Sequence, residues 1–305
     1  MCAWLPTASA DEIDFAEIRK QALFARVVYR PENEIRALAE SNRYRLNLYQ
    51  TIPDSQITFF LATSDSTRTH LISVRGTSNA ENAMVDLALK LLPDEKTGAR
   101  LHQGFSYAAK QVYAKLKPLV KPGYKVRATG HSLGGAVALI LAMYLDADRT
   151  EVEQVVTFGQ PKVTNLSGAK GIQHLDIIRV VTPTDLVPLL PPFDPMDLGN
   201  LDIYWHAGRE VVLLEGDRYA VLDASDSMLR AARFILQPLT EDTLKNHYMT
   251  PYLELIERKL NSARQVIPGN SFNLNRSNQL VSGWPDLQSE AGRLAKAWLS
   301  RQCLA

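Results

Sequence analysis

One stretch, Tyr124 to Leu145, limits what this chain can fold into more than any other. Val126, Ala128 and Gly130 alternate with Lys125, Arg127 and Thr129, the pattern of a strand with one face against a core. Gly130-His131-Ser132-Leu133-Gly134 then fits G-x-S-x-G, and Ala136 to Leu145 reads as a buried helix free of Gly and Pro. A strand that turns sharply into a helix at this pattern puts Ser132 in a strained conformation, and small residues two before and two after it let the backbones pass closely. The helix N-terminus then offers free N–H groups and the positive end of its dipole to an oxyanion. The competing reading is a tight turn whose serine only caps a helix. The strand before it and the apolar helix after it favour a nucleophile.

The rest of the chain supplies the layers that such a unit needs. Ile13 to Val28 and Ile35 to Ser41 read as helices, and Arg43–Thr51, Gln56–Ala62 and Thr69–Arg75 as a meander of strands. Ser78 and Glu81 have capping-box spacing, and the stripe Ala80, Ala83, Met84, Leu87, Ala88, Leu91 and Leu92 predicts a helix that Pro93 ends. The polar run Lys96-Thr97-Gly98-Ala99 beside Arg100 offers a hinge, and with its apolar stripe this helix is a candidate lid over the region of Ser132. The bland alternative is a helix packed permanently on the sheet. A further helix runs from about Leu101 to Leu119.

After the elbow, Val152–Phe158 and Ile177–Thr182 are β-branched runs, each preceded by a long connection, which predicts parallel crossovers. Pro188 to Pro195 is a loop, Ile203–Trp205 and Glu210–Leu214 a late edge hairpin, and Tyr248–Leu260 a helix. One domain over 1–267 with a C-terminal extension over 268–305, ending in an amphipathic helix, is the simplest division.

A serine needs a neutral histidine within hydrogen-bond reach and a carboxylate to orient that histidine. In hydrolases with this elbow the chain order is Ser, then Asp or Glu, then His. His70, His102, His131 and His174 come too early, which leaves His206 and His247 as the base. His247, in a loop just before a helix, is preferred; His206 beside a strand-like run suits a structural hydrogen bond. The acid belongs just past the end of a later strand, where ligands gather in open parallel sheets. Asp185 meets that demand better than Asp194, Asp197 or Asp202.

At these residues the chain resembles the class 3 lipases, the fungal-type triacylglycerol lipases of the α/β-hydrolase superfamily. The likeness runs from about Asn47 to Tyr252. It rests on Val74-Arg75-Gly76-Thr77, His102-Gln103-Gly104-Phe105, Gly130-His131-Ser132-Leu133-Gly134-Gly135 and Thr157-Phe158-Gly159-Gln160-Pro161. Asp185-Leu186-Val187-Pro188 and Tyr204-Trp205-His206-Ala207-Gly208 continue it in the family's order. The resemblance implies an α/β-hydrolase fold, a mostly parallel central sheet flanked by helices. It implies Ser132 as nucleophile, Asp185 as acid and His247 as base, with an oxyanion hole at Thr77 and the backbone N–H of Leu133. The chain departs from the family at Thr164, where Gly is frequent, and at Ala83 or Met84, where a lid Trp is frequent. Around the base it has Asn246-His247 with Tyr252 five residues on, where the family tends to Asp-His with Tyr three on.

The expected activity is therefore carboxylic ester hydrolysis on acylglycerols through an acyl-enzyme, with contact to a lipid–water interface. A phospholipase A1 or a short-chain esterase uses the same groups, and a non-catalytic binding protein on a hydrolase fold is the reading from another class. No cofactor is called for, and no His, Asp or Glu cluster has ligand-like spacing for a metal. A formal net charge of +1 gives no pull towards nucleic acid. No apolar run reaches the roughly 18 residues of a membrane span. Cys2, followed by small and polar residues, matches what remains after removal of a bacterial lipoprotein signal, so export, with lipid attachment at Cys2, is the expectation over a cytoplasmic location.

Overall fold

The computed structural model describes residues 13–76, 90–191, 203–232 and 245–267. Cys2, Thr77, the stripe from Ala80 to Ala88, the alternatives Asp194, Asp197 and Asp202, and the extension 268–305 lie outside them.

The chain opens with α1 (Phe15–Val27), which starts at Asp14 because the Asp14 carboxylate accepts from the N–H groups of Ala16 and Glu17 at 2.9 and 3.0 Å. Pro31 separates it from α2 (Glu32–Ser41). Three antiparallel strands follow, β1 (Arg45–Ile52), β2 (Ile57–Ser64) and β3 (Thr69–Val74). A short hairpin, β4 (Leu91–Pro93) and β5 (Arg100–His102), leads into α3 (Gln103–Leu116). Then come β6 (Lys125–His131), α4 (Leu133–Ala147), β7 (Val152–Phe158), β8 (Thr164–Asn165), α5 (Leu166–Gly171) and β9 (Ile177–Val181). The last part holds β10 (Tyr204–Trp205), β11 (Arg209–Leu213), β12 (Arg218–Leu222), α6 (Ala224–Ala232), α7 (Met249–Glu257) and β13 (Arg264–Gln265).

Among the described residues the main sheet runs β1-β2-β3-β6-β7-β9-β11-β12-β13. The five strands from β3 to β11 in that order are mutually parallel. This is the mostly parallel sheet expected. Strand β6 lies inside it between β3 and β7, so the elbow starts from a position covered on both faces. On one face α4 is buried from Gly134 to Leu145, with α3 against it. On the other, Phe15, Ile18, Ala22 and Ala25 of α1 pack with Tyr252, Leu253 and Ile256 of α7 over Val156, Ile178, Val180 and Val211. Arg127 on β6 anchors α1 to the sheet through Glu17 at 2.6 Å and reaches Glu153 at 2.5 Å.

Three local expectations change. Ile203–Trp205 and Glu210–Leu214 do not pair as a hairpin. Strand β10 instead joins β8 in a second sheet, β10-β8-β5-β4, while β11 continues the main sheet beside β9 and forms its hairpin with β12. Leu91 and Leu92 belong to β4 rather than to the helical stripe, because they pair with His102 and Leu101. Lys96–Ala99 is a held turn rather than a hinge. Asp94 accepts from the Thr97 N–H and hydroxyl at 3.0 Å and from the Tyr144 hydroxyl of α4 at 2.9 Å. Thr164, where the family often has Gly, donates its hydroxyl to the Arg100 carbonyl at 2.7 Å and so joins β8 to β5.

Beneath β9 and β11 lies a fully buried ionic group. The Glu210 carboxylate accepts from Arg179 at 2.9 Å, Arg230 at 2.7 Å and Ser227 at 2.5 Å. Burial works against its charge, but Arg230 and Arg179 outweigh burial and hold the carboxyl below its ordinary range. Removing the anion strands two buried guanidinium groups. Glu210→Ala is therefore expected to lower unfolding free energy by about 3–5 kcal/mol, measured by urea denaturation. A change within about 0.5 kcal/mol would contradict this account of the network.

Candidate active site

The elbow is built by close approach of backbones. Ser132 sits at φ 59°, ψ −134°, between the end of β6 and the start of α4. Any side chain at Gly134 would put its Cβ 2.2 Å from the Val74 carbonyl oxygen and 2.7 Å from the Gly76 nitrogen, and one at Gly130 would meet Gly134 at 2.5 Å. Only glycine lets β3, β6 and α4 come this near. The Ser132 N–H donates to the Phe158 carbonyl at 2.9 Å, which ties the serine to the end of β7. Leu133 and Gly134 open α4 ahead of its first backbone bond, which the Gly135 N–H makes to the Ser132 carbonyl at 2.9 Å.

The next residue after Phe158 forms the wall of a second group. Gly159 has φ +59°, and a Cβ there would fall 2.8 Å from His247 Cε1 and 2.9 Å from Asp185 Oδ2. Asp185 is wholly buried just past β9 and accepts three hydrogen bonds. They come from Val187 N–H to Oδ1 at 2.9 Å, His247 Nδ1 to Oδ2 at 2.8 Å and the Tyr252 hydroxyl to Oδ2 at 2.5 Å. A carboxylate only accepts, so the proton of His247 sits on Nδ1 and the lone pair on Nε2. That Nε2 is buried and has no hydrogen-bond partner among the described residues.

His131 adds a third strand to this arrangement. Its Nε2–H donates to the His247 carbonyl at 2.5 Å, and its ring lies 4.5 Å from the His247 ring. Its Nδ1 then accepts from the Tyr29 hydroxyl at 3.2 Å, and the Tyr29 oxygen accepts from the Gly76 N–H at 3.0 Å. A continuous chain of hydrogen bonds thus runs from the end of β3, through the residue beside Ser132, to the backbone of His247. Burial, followed by the neighbouring His247, pushes the His131 imidazole down to about 3. Burial raises the Tyr29 phenol to about 12. Burial, then the Asp185 charge, raises Tyr252 well above its ordinary range.

The other histidines lie apart from this group. His206 is buried and donates Nε2–H to the Pro188 carbonyl at 2.7 Å, the structural hydrogen bond that its sequence context suits. His70 bonds Thr63 and the Lys121 N–H, and His174 pairs with Asp146 on the surface. His102 caps α3 by accepting from the Phe105 N–H at 3.3 Å. By chain order His131 comes too early to be the base, Tyr29 carries no signal, and Tyr252 enters only as a spacing departure. Five residues beyond His247, the Tyr252 hydroxyl nonetheless reaches Asp185. Thr77 lies outside the described residues, and Gly76 is the nearest described residue to it. No group of His, Cys, Asp and Glu among the described residues could hold a metal ion.

The fold is the α/β arrangement of the fungal lipases. The solved structure of lipase II from Rhizopus niveus matches it with a TM-score of 0.57 at 26% identity, covering 66% of this chain and 81% of that one. Residues 71–194 match the family model for lipase (class 3). The secreted mono- and diacylglycerol lipase 1 of Fusarium solani is 33% identical over 146 residues, 44% of this chain and 42% of that protein. A lipase of Rhizomucor miehei is 34% identical over 145 residues, 43% of this chain and 40% of that protein. The chain thus spans about two fifths of the length of these curated relatives. Over residues 71–194 the chain is thus a class 3 lipase homologue, similar to the fungal lipases of Rhizopus and Rhizomucor.

The neutral state of His131 has a consequence for stability. An unfolded histidine takes up a proton near its ordinary value of about 6.5, whereas folded His131 does so only near 3. Stability is fully present above the unfolded value and is lost as pH falls towards the folded one. The slope from this residue approaches about 1.4 kcal/mol per pH unit within that window. Urea unfolding at pH 7.5 and pH 5 is expected to give a smaller pH dependence in His131→Asn than in the wild type. Equal dependence in the two proteins would show that folded His131 titrates as an ordinary histidine.

Proposed function

We propose that this chain is a serine carboxylic ester hydrolase, a lipase acting on acylglycerols through an acyl-enzyme on Ser132. The observation that carries the reading is the buried Asp185–His247 pair, with no described partner on His247 Nε2, packed at Gly159, the residue after the Phe158 whose carbonyl accepts from the Ser132 N–H. The match of residues 71–194 to the class 3 lipases supports it, as does the likeness to a mono- and diacylglycerol lipase of Fusarium solani.

The steps follow from the polarity of these groups. His247 Nε2 takes the proton of Ser132 Oγ as that oxygen attacks the ester carbonyl carbon. The imidazolium that forms is stabilised through Nδ1–H by Asp185, which Tyr252 and the Val187 N–H hold in place. The tetrahedral oxyanion is bound by the N–H of Leu133, at the positive end of the α4 dipole, and by Thr77. Collapse expels the alcohol, which receives its proton from His247. Water then repeats the sequence on the acyl-enzyme, with His247 as base, and releases the carboxylic acid.

His131 stays neutral throughout, so it supports the His247 backbone without adding a charge that would oppose the imidazolium. Acylglycerols fit a hydrolase of this family as substrates, with transient contact to the lipid–water interface where they collect. Export agrees with the Fusarium relative's description as secreted, and no helix among the described residues is long and apolar enough to cross a membrane.

Initial rates on glyceryl tributyrate, a medium-chain phosphatidylcholine and p-nitrophenyl butyrate test the reading. The glyceryl ester is expected to be cleaved at least as well as the others. Ser132→Ala should fold normally and lose on the order of 10⁶-fold in turnover, because the covalent route disappears. A Ser132→Ala protein as active as the wild type would end the serine-hydrolase reading.

A further inference from the structure

The loop that carries Asp185 has no strand or helix to bond its exit. Asp185 Oδ1 accepts from Val187 N–H, which opens a single 3-10 turn over Val187–Leu189. The turn closes through Leu189 N–H to Leu186 and Leu190 N–H to Val187. Beyond it, carbonyls buried without donors would each cost free energy and let the loop shift.

Two buried side chains supply those donors in succession. His206 Nε2–H holds the Pro188 carbonyl at 2.7 Å. Lys162 Nζ holds the Leu189 carbonyl at 2.5 Å and the Pro191 carbonyl at 2.7 Å. The backbone N–H of Lys162 holds the one between them, Leu190, at 2.8 Å. Four consecutive carbonyls, 188 to 191, are thus held by two residues. Lys162 is only 1% exposed, an unusual place for an ammonium group. It also stands three residues beyond Gly159, the residue whose backbone presses on His247 and Asp185.

We propose that Lys162 and His206 are positioning residues for the reaction, clamping the 185–191 loop by its exit carbonyls so that the Asp185 carboxylate stays in register with His247. This rests on the ester-hydrolase reading only for its kinetic consequence. The clamp reaches the pair from both sides. The loop after β7 forms the wall at Gly159 and the donor at Lys162, and the loop after β9 carries the acid and the four acceptors. A shift of either loop moves Asp185 relative to His247.

The chemistry explains why a lysine serves here. Burial, then the positive Arg179, pushes the Lys162 amine down to about 7, with Glu210 opposing and Arg230 adding to Arg179. His206, the other side chain that binds this loop, is held well below its ordinary value by burial, then by Arg179 and Lys162. An uncharged amine still has two N–H donors, matching the two carbonyls that Nζ holds. The clamp therefore persists whether or not Lys162 carries its proton, and it need not keep a charge buried.

The test compares Lys162→Met, which keeps length and removes the donors, with Lys162→Gln, which keeps two N–H donors on a shorter stem. Turnover of p-nitrophenyl butyrate by the full chain is referred to Ser132 sites titrated with a p-nitrophenyl phosphonate, so unfolded molecules do not count. Proton NMR follows the far-downfield signal of His247 Nδ1–H against Asp185. For Lys162→Met, kcat per site should fall by about 10²-fold, the typical cost of moving a catalytic group by roughly an ångström, with KM unchanged. Its downfield signal should be lost or shifted, and Lys162→Gln should recover part of both.

An unchanged signal together with wild-type kcat per site in either folded variant overturns the clamp. Where Lys162→Met does not fold, Lys162→Gln decides alone. A lowered kcat at constant KM supports the clamp, and wild-type values overturn it. Should the wild type cleave no ester, the ester-hydrolase reading falls separately, because the NMR signal still reports whether Lys162 positions Asp185 against His247.

Discussion

The structure depends on one local constraint, the backbone of Ser132 at φ 59° between a buried strand and a buried helix. A non-glycine residue at positive φ is costly and persists only where its surroundings over-determine it. Here they do. The N–H of Ser132 is bonded to β7, its neighbour His131 is bonded to His247, and Gly130 and Gly134 leave no room for relaxation. Parallel strands on both sides of β6 and the apolar length of α4 supply the packing that offsets this strain. The same geometry starts α4 directly after the serine, so the helix N-terminus begins at the elbow.

Around that point the protein buries polar groups instead of excluding them, and many of them are matched in kind. Asp185 has three donors, and His131 is neutral because burial forbids its charge. Glu210 balances Arg179 and Arg230. Lys162 satisfies loop carbonyls that no strand reaches. Buried networks of this type are stable only when every member is satisfied, since an unpaired donor or acceptor costs more than a formed bond returns. Among the buried atoms without a described partner, the Nε2 of His247 has a use in the proposed reaction, as a lone pair kept ready for a proton.

Much of this is legible in the sequence where the signal is local. The β6–Ser132–α4 unit, the meander β1–β3 and the parallel runs β7 and β9 follow from periodicity and turn residues. Asp185 and His247 follow from chain order and the family likeness, and the two side chains are bonded in the structure. What fails is pairing at a distance. Two-residue strands such as β8 and β10 carry no periodicity of their own, so Tyr204–Trp205 reads as half of a hairpin with its nearest neighbour. Leu91 and Leu92 continue a helical stripe by spacing alone, while their partners in β5 lie beyond a turn. Tyr29, Tyr252 and Lys162 meet the site across long stretches of chain, and a single sequence has no term for such contacts. Lys162 carries no sequence signal; its role rests on the carbonyls of 189–191 around it.

The central claim is that Ser132, His247 and Asp185 form one nucleophilic unit, and its most direct test is covalent. Incubation with diethyl p-nitrophenyl phosphate, followed by intact-mass measurement and peptide mapping, reads the nucleophile without assuming a natural substrate. The account predicts one diethylphosphoryl group per chain, carried by Ser132, with loss of ester hydrolysis in step with labelling. Ester hydrolysis that continues with Ser132 unmodified would contradict it.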